Sequence, residues 1–325
     1  MPSSLLIRMR ISASVEGVVV MGRRLLCVIH NPRAGDASPT APSLLAMLSE
    51  AGYQTRYQTR KDAWQEALQE PMDLAVVVGG DGTVGPVAKA LAGRSLPFTV
   101  LPVGTANNIA KTFGIAGDAR DVVARWATTR PQLLDTWTVT AGDSTAVFVE
   151  SMGAGPLVPP MRHSERQHPP TFILGGAIDR ARHAFRTAVM AAPSAHWSIE
   201  ADGSDLSGDY IGLEAMNIRS VGPNLLLSPA ADPGDGAIDL VLFREIDREQ
   251  LAAVANVLSP GRFELETHRC ADVRLIPPPD VTIHVDGELW PARDRREGVE
   301  LRVRQAARSR IVAPDGSPNV SAEPR

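Results

Sequence analysis

The sequence predicts an α/β domain with a doubly wound, mainly parallel sheet, followed by a β-rich, sandwich-like domain. Three observations lead there. Up to about residue 135, apolar runs of strand length alternate with stretches of helical periodicity, the pattern of repeated βαβ units. From Thr136 onward, short strand-like runs separated by Gly, Pro and Asp take over. The chain has 325 residues, 44% hydrophobic and 22% charged, which exceeds one typical domain at ordinary globular composition.

Arg23–His30 reads as a buried strand, broken by the loop Asn31-Pro32-Arg33-Ala34-Gly35. Ser43–Ala51 carries Leu44, Leu45 and Leu48 at helical spacing and stops at Gly52. Tyr53–Thr59 follows as a strand, and Lys61–Glu70 as a short helix closed by Pro71. Leu74–Val78 is continuous and β-branched, as a strand covered on both faces requires. A glycine-rich turn leads to a helix from about Pro86 to Leu91, with Pro86 expected in the first turn, where a missing N–H is harmless. Phe98–Leu101 is the next strand. Thr105 or Asn107 can cap the helix that runs to Phe113, and Asp121–Ala127 is one more helix.

In the second half, strands are expected at Thr136–Thr140, Ala146–Glu150, Trp197–Ala201, Tyr210–Asn217, Ile238–Phe243, Asp272–Ile276, Val281–Val285 and Glu300–Arg304. The change of pattern divides the chain into 23–136 and 137–304, with a segment near 305–313 able to pack back onto the first domain. Residues 1–22 are expected to be a disordered leader and not a signal peptide, since they lack an apolar h-region. Residues 314–325 read as a loose polar tail.

A net charge of −4 argues against nucleic acid as the main partner. Cys27 and Cys270 are the only cysteines, too few for a disulfide framework, and are expected as free thiols in a reducing, cytoplasmic setting. No apolar stretch reaches the ~20 residues of a membrane span. There is no HExxH, which disfavours a zinc site, and no GxSxG elbow.

The strongest chemical signal is Val76-Val77-Val78-Gly79-Gly80-Asp81-Gly82-Thr83, a buried strand delivering a glycine-rich turn into a helix start. The glycines permit positive φ and let backbone N–H groups approach an anion, and a helix start behind them favours phosphate. Asp81 would repel phosphate, so it either orders the turn or works through a bound ion or water. Gly80, Gly82 and Gly85 match GxGxxG, but the strand at Phe98–Leu101 ends in Pro102-Val103-Gly104 without the carboxylate that a dinucleotide fingerprint wants. No Walker A lysine follows either. A second loop, Pro102-Val103-Gly104-Thr105-Ala106-Asn107, again sits between strand and helix at the carboxyl edge of the sheet, where such folds bind ligands.

Asn31–Gly35, Gly79–Thr83 and Pro102–Asn107, in that order and rough spacing, resemble the diacylglycerol kinase catalytic-domain family, which includes sphingosine kinases and bacterial lipid kinases and is related to NAD kinases. The likeness spans roughly residues 24–313. It continues through Phe148–Gly155, through Leu227–Leu240 with its P-x-A and DG-x-x-D pattern, and through the turn Val285-Asp286-Gly287-Glu288.

The resemblance implies an ATP-dependent lipid kinase with the nucleotide in the interdomain cleft. Asn31, Gly79, Gly80, Asp81, Gly82, Thr83, Gly104, Thr105 and Asn107 become nucleotide-site candidates, with Asp81 also a catalytic candidate. Glu288 is implied as general base, a role that suits a carboxylate near a poorly nucleophilic lipid hydroxyl. Asp235, with Asp232 and Asp239 as helpers, is implied as a Mg2+ site. The sequence departs from the family at Val84-Gly85-Pro86, where x-N-E is common, at Glu150, where Asn is usual, and at Asp232–Asp235, which lacks a frequent paired Asp. An NAD kinase-like enzyme and a catalytically degenerate nucleotide- or lipid-binding regulator are the alternatives.

Acyl pockets are built from generic apolar residues, so diacylglycerol, a sphingoid base and other lipid alcohols stay open as acceptors. Ile173–Ala192 is amphipathic, with Arg180, Arg182 and Arg186 beside its apolar face. It reads either as a helix covering the β-rich domain or as a lip in peripheral contact with a membrane surface.

Overall fold

A computed structural model describes residues 24–35, 39–158, 174–255, 265–279, 281–290 and 299–314. The first half alternates strands and helices: β1 (Leu25–His30), α1 (Ala41–Glu50), β2 (Gln54–Thr59), α2 (Trp64–Ala67), β3 (Leu74–Gly79), α3 (Asp81–Leu91), β4 (Phe98–Pro102), α4 (Asn108–Thr112) and α5 (Ala119–Arg125). β3 pairs in parallel with β1 and β4, and β1 with β2. Apart from Leu25, which is half-buried, β1 and β3 are buried along their whole length, which is why they read as unbroken apolar runs. All three loops of interest therefore leave the same carboxyl edge.

The second half contains β5 (Thr129–Ala141), β6 (Ser144–Phe148), β7 (Ser151–Ala154), α6 (Leu174–Ala191), β8 (Ala195–Ala201), β9 (Ser204–Asp205), β10 (Gly208–Tyr210), β11 (Gly212–Met216), β12 (Ser220–Val221), β13 (Leu225–Leu226), β14 (Ile238–Phe243), α7 (Arg248–Val254), β15 (Glu266–Cys270), β16 (Asp272–Ile276), β17 (Ile283–Val285), β18 (Glu288–Trp290) and β19 (Leu301–Pro314). Among the described residues one antiparallel sheet has the order β15-β14-β11-β7-β17-β18. It packs face to face with β5, β8, β16 and β19 over a core that includes Trp137, Met152, Trp197, Leu240 and Val303. A separate cluster around Phe185, Val189, Phe243 and Leu251 seats α6 and α7 on the other side of that sheet.

β19 joins the two halves. Leu301 pairs with Ala141 at one end, a bulge falls between Gln305 and Ala307, and Ile311 pairs in parallel with Phe98 of β4 at the other. The strand expected at Glu300–Arg304 is thus only the first third of a 14-residue strand. Its arginines kept the rest from reading as strand.

Three local expectations are corrected. α3 starts at Asp81, so Pro86 lies inside the helix and not in its first turn. The glycines at 79, 80 and 82 are not at positive φ. Tyr210–Asn217 is two strands broken at Ile211, with Gly212 directly against the backbone of Ala154.

Candidate active site

The first and second loops touch. A Cβ on Gly104 would lie 2.3 Å from the Gly80 Cα, and one on Gly80 would lie 2.9 Å from the Gly104 Cα. Glycine is needed here for close backbone approach rather than for φ. A Cβ on Gly79 would come within 2.7 Å of the Thr83 hydroxyl oxygen, so the turn also closes on its own helix. The Asn31 amide donates to that oxygen at 3.4 Å, which brings the loop after β1 to the same place.

Asp81 accepts the N–H groups of Asn108 and Ile109, both at 3.0 Å, and so caps α4 from the start of α3. Burial raises its pKa, and these two bonds and Lys111 oppose the rise. Of the two roles open to Asp81, ordering the turn is the one its geometry performs. Neither Thr105 nor Asn107 caps α4. Asn107 sits at φ 54° with its amide folded back, accepting from Gly104 N at 3.0 Å and donating to Gly104 O at 2.7 Å. Thr105 is exposed. Beside these loops a cavity of about 380 Å3 is lined by Ser43, Met47, Pro102, Val103, Asp118 and Arg120, among others.

The second half supplies a hairpin. Asp286 (φ 49°) and Gly287 (φ 77°) form the tight turn between the paired residues Val285 and Glu288, the conformation that favours Asp-Gly. The Asp286 carboxylate accepts the backbone N–H groups of Val149 (3.1 Å), Glu150 (2.8 Å) and Ser151 (3.3 Å). It also meets Lys89 of α3 at 2.7 Å. Lys89 in turn donates to Val147 O at 3.0 Å. The helix that begins with Asp81 therefore holds the hairpin that ends in Glu288, and Glu288 itself stays exposed.

Further bonds close the seam. The Asn108 amide donates to Gly222 O at 3.0 Å, and Lys111 to Asn224 at 2.6 Å. Buried Asn217 accepts from the Trp137 indole at 2.9 Å and donates to Asp135 O and Val149 O. Lys89, Asn108, Asn217 and Asp286 were not singled out in the sequence. Only Asp286, two residues before Glu288, carried a signal.

The Mg2+ reading of Asp232, Asp235 and Asp239 does not fit the structure. Asp235 is held by the Arg269 guanidinium at 2.6 and 3.0 Å, and its other oxygen accepts Ala237 N. Asp232 accepts Gly234 N, and Asp239 accepts the Ser228 hydroxyl. Buried Asp135 takes Gly236 N at 2.7 Å and Arg308 at 2.6 Å, fixing the same loop from behind. Among the described residues no group of three or more His, Cys, Asp or Glu is placed to hold a metal ion. Arginines and backbone donors fill the roles assigned to a cation.

Residues 25–139 match the family model described as the diacylglycerol kinase catalytic domain. The chain is a kinase that carries this catalytic domain in its first half. Relatives of this kinase extend over both halves. It is 26% identical over 310 residues to a probable lipid kinase YegS-like of Pseudomonas putida, covering 93% of this chain and 99% of that one. It is 28% identical to a Stenotrophomonas maltophilia protein of the same description, over 74% and 80% of the two chains. A diacylglycerol kinase of Mycobacterium tuberculosis is 25% identical over 69% and 72%. In fold, the kinase is similar to a diacylglycerol kinase from Bacillus anthracis, with TM-score 0.62, 15% identity and coverage of 91% and 98%. It is also similar to yeast NADH kinase, with TM-score 0.51, 12% identity and coverage of 94% and 90%.

α6 lies with Phe185 and Val189 buried against the six-stranded sheet, as a covering helix does. Arg182 donates to Pro223 O at 3.1 Å, while Arg180 and Arg186 are exposed. Ile173 lies outside the described residues. Among the described residues no helix is long and apolar enough to cross a membrane.

Proposed function

We propose that this kinase transfers the γ-phosphoryl group of ATP to the hydroxyl of a lipid alcohol of the diacylglycerol type. The observation that carries the reading is the Lys89–Asp286 tie, which keeps the Glu288 hairpin against the helix of the first glycine loop. The relatives named as lipid kinases support the choice of acceptor.

In this reading the backbone N–H groups around Gly80, Gly82 and Gly104 receive the phosphates, with Asn31 and Thr83 beside them, while Asp81 fixes the loop and α4 from behind. The adjoining cavity seats the nucleoside. Glu288 accepts the proton of the lipid hydroxyl as its oxygen bonds to the γ-phosphorus and the bond to the ADP oxygen breaks. An exposed carboxylate on a rigid two-residue turn is suited to meet a substrate arriving from a membrane surface, with α6 at the same domain.

The test is transfer of labelled phosphate from magnesium–ATP to diacylglycerol, sphingosine and NAD offered separately. Label in a lipid product supports the reading. Label in NAD alone makes the chain an NAD kinase, and binding of ATP without transfer to any of the three makes it a regulator.

A further inference from the structure

Resting on the kinase reading above, we propose that the turn Gly222-Pro223-Asn224 is a spacer between the two halves, and that Lys111 and Arg182 are positioning residues that hold α4 and α6 to it. The turn joins β12 and β13, which pair with each other and belong to neither large sheet among the described residues. A two-stranded hairpin is marginal by itself, so its place is set by whatever grips it. Val221 and Leu225, on either side of the turn, are buried in the same apolar cluster as Phe185 and Val189 of α6. Gly222 at φ 55° and Asn224 at φ 59° bend the chain tightly, and the Asn224 N–H donates to Gly222 O at 2.9 Å. The three residues form one small, stiff unit.

Each of the three is gripped by a side chain from outside the hairpin. From α4, Asn108 donates to Gly222 O at 3.0 Å and Lys111 to the Asn224 side-chain oxygen at 2.6 Å. From α6, Arg182 donates to Pro223 O, the carbonyl between them, at 3.1 Å. α4 follows the second glycine loop and is capped by Asp81 of the first, so it moves with both. α6 lies on the six-stranded sheet that also carries the Glu288 hairpin. The turn thus sets the acceptor side against the phosphate side at a second point, apart from the Lys89–Asp286 tie. Lys111 and Arg182 act on it in series: once Arg182 lets go, the grip of α4 on the turn no longer reaches α6 through a polar bond. The turn is partly open to solvent, where water replaces a lost donor, so the loss falls on geometry and not on folding.

The experiment compares the full-length protein with Arg182→Met, Lys111→Met and the double variant, each of which keeps an apolar stem and removes the donor. Two measurements are made: initial rates with magnesium–ATP and dioctanoylglycerol, and native hydrogen exchange without substrates. For the lipid, kcat/KM should fall by about tenfold in Arg182→Met, and by about fivefold in Lys111→Met, where Asn108 still holds the turn. The double variant should match Arg182→Met, whereas two independent roles would multiply to a loss of about fiftyfold. Thermal midpoints should stay within about 2 °C of the wild type. In Arg182→Met, amides of α4, in the other half of the chain, should exchange about threefold faster or more. Losses that multiply in the double variant, or exchange in α4 of Arg182→Met equal to that of the wild type, overturn the proposal. Should the wild type phosphorylate no lipid, the kinase reading of the acceptor fails, and the exchange comparison still decides the role of the turn.

Discussion

Lys89 and Asp286 are 197 positions apart in the chain and 2.7 Å apart in space, joining the helix of the first glycine loop to the turn that presents Glu288. Both side chains are largely shielded, so the pair is stronger than an exposed one. Lys89→Ala leaves Asp286 with its backbone N–H donors but frees the hairpin from α3. Turnover should fall by about tenfold, with a smaller change in ATP affinity, because in the proposed mechanism it is Glu288 and not the nucleotide that is displaced. Steady-state kinetics beside ATP titration check this.

Contact between the two glycine loops gives a second expectation. Gly104→Ala places a methyl 2.3 Å from the Gly80 Cα, a backbone atom that cannot yield without moving the loop. Destabilisation of about 1–3 kcal/mol and weaker ATP binding should follow. Gly82 has nothing within 4 Å of the equivalent Cβ position and no positive φ, so Gly82→Ala should leave folding stability within about 0.5 kcal/mol. Denaturant titration of the two variants makes the comparison.

In the β-rich half, Glu214 and His284 form a fully buried pair at 3.0 Å, flanking Gly153, whose missing side chain makes the room. Their remaining polar atoms have no partner among the described residues. His284→Leu strands a carboxyl group in the sheet and should cost about 3–5 kcal/mol in urea unfolding. Replacing both residues by apolar side chains of similar volume should recover most of that loss.

Both cysteines are buried and free. Burial raises the pKa of each thiol, that of Cys270 to about 12. At pH 8 the native thiolate fraction at Cys270 is then on the order of 10⁻⁴, and neither residue suits a nucleophile. Alkylation at that pH should label almost nothing in the folded protein and two sites after unfolding, counted by intact mass.

Much of the parallel sheet was legible because Leu26–Ile29 and Leu74–Val78 are buried on both faces and leave no polar interruption. Most of β19 was not, because Arg304, Arg308 and Arg310 are tolerated as exposed residues on a strand whose Leu301, Val303, Ser309, Ile311 and Ala313 are buried. At the site, Gly80 and Gly104 could be found as glycines in loops, but not as partners, since their need for glycine arises only when two backbones meet. Asp81 read as a chemical group and proved to hold α4. Asp235 read as a metal ligand because the sequence does not show that Arg269, 34 residues on, reaches it first. Local motifs mark where loops bend, whereas their partners depend on pairings made across the whole chain.

In the proposed mechanism the Glu288 carboxylate, just after the Asp286–Gly287 turn, takes the proton from a lipid hydroxyl. Glu288→Gln keeps the shape of an exposed side chain and removes only its basicity, so the most direct measurement is its single-turnover phosphorylation of diacylglycerol beside its ATP affinity. The chemical step should fall by about 10²–10⁴-fold with ATP binding little changed. Wild-type turnover by Glu288→Gln, with the same pH profile, would contradict it.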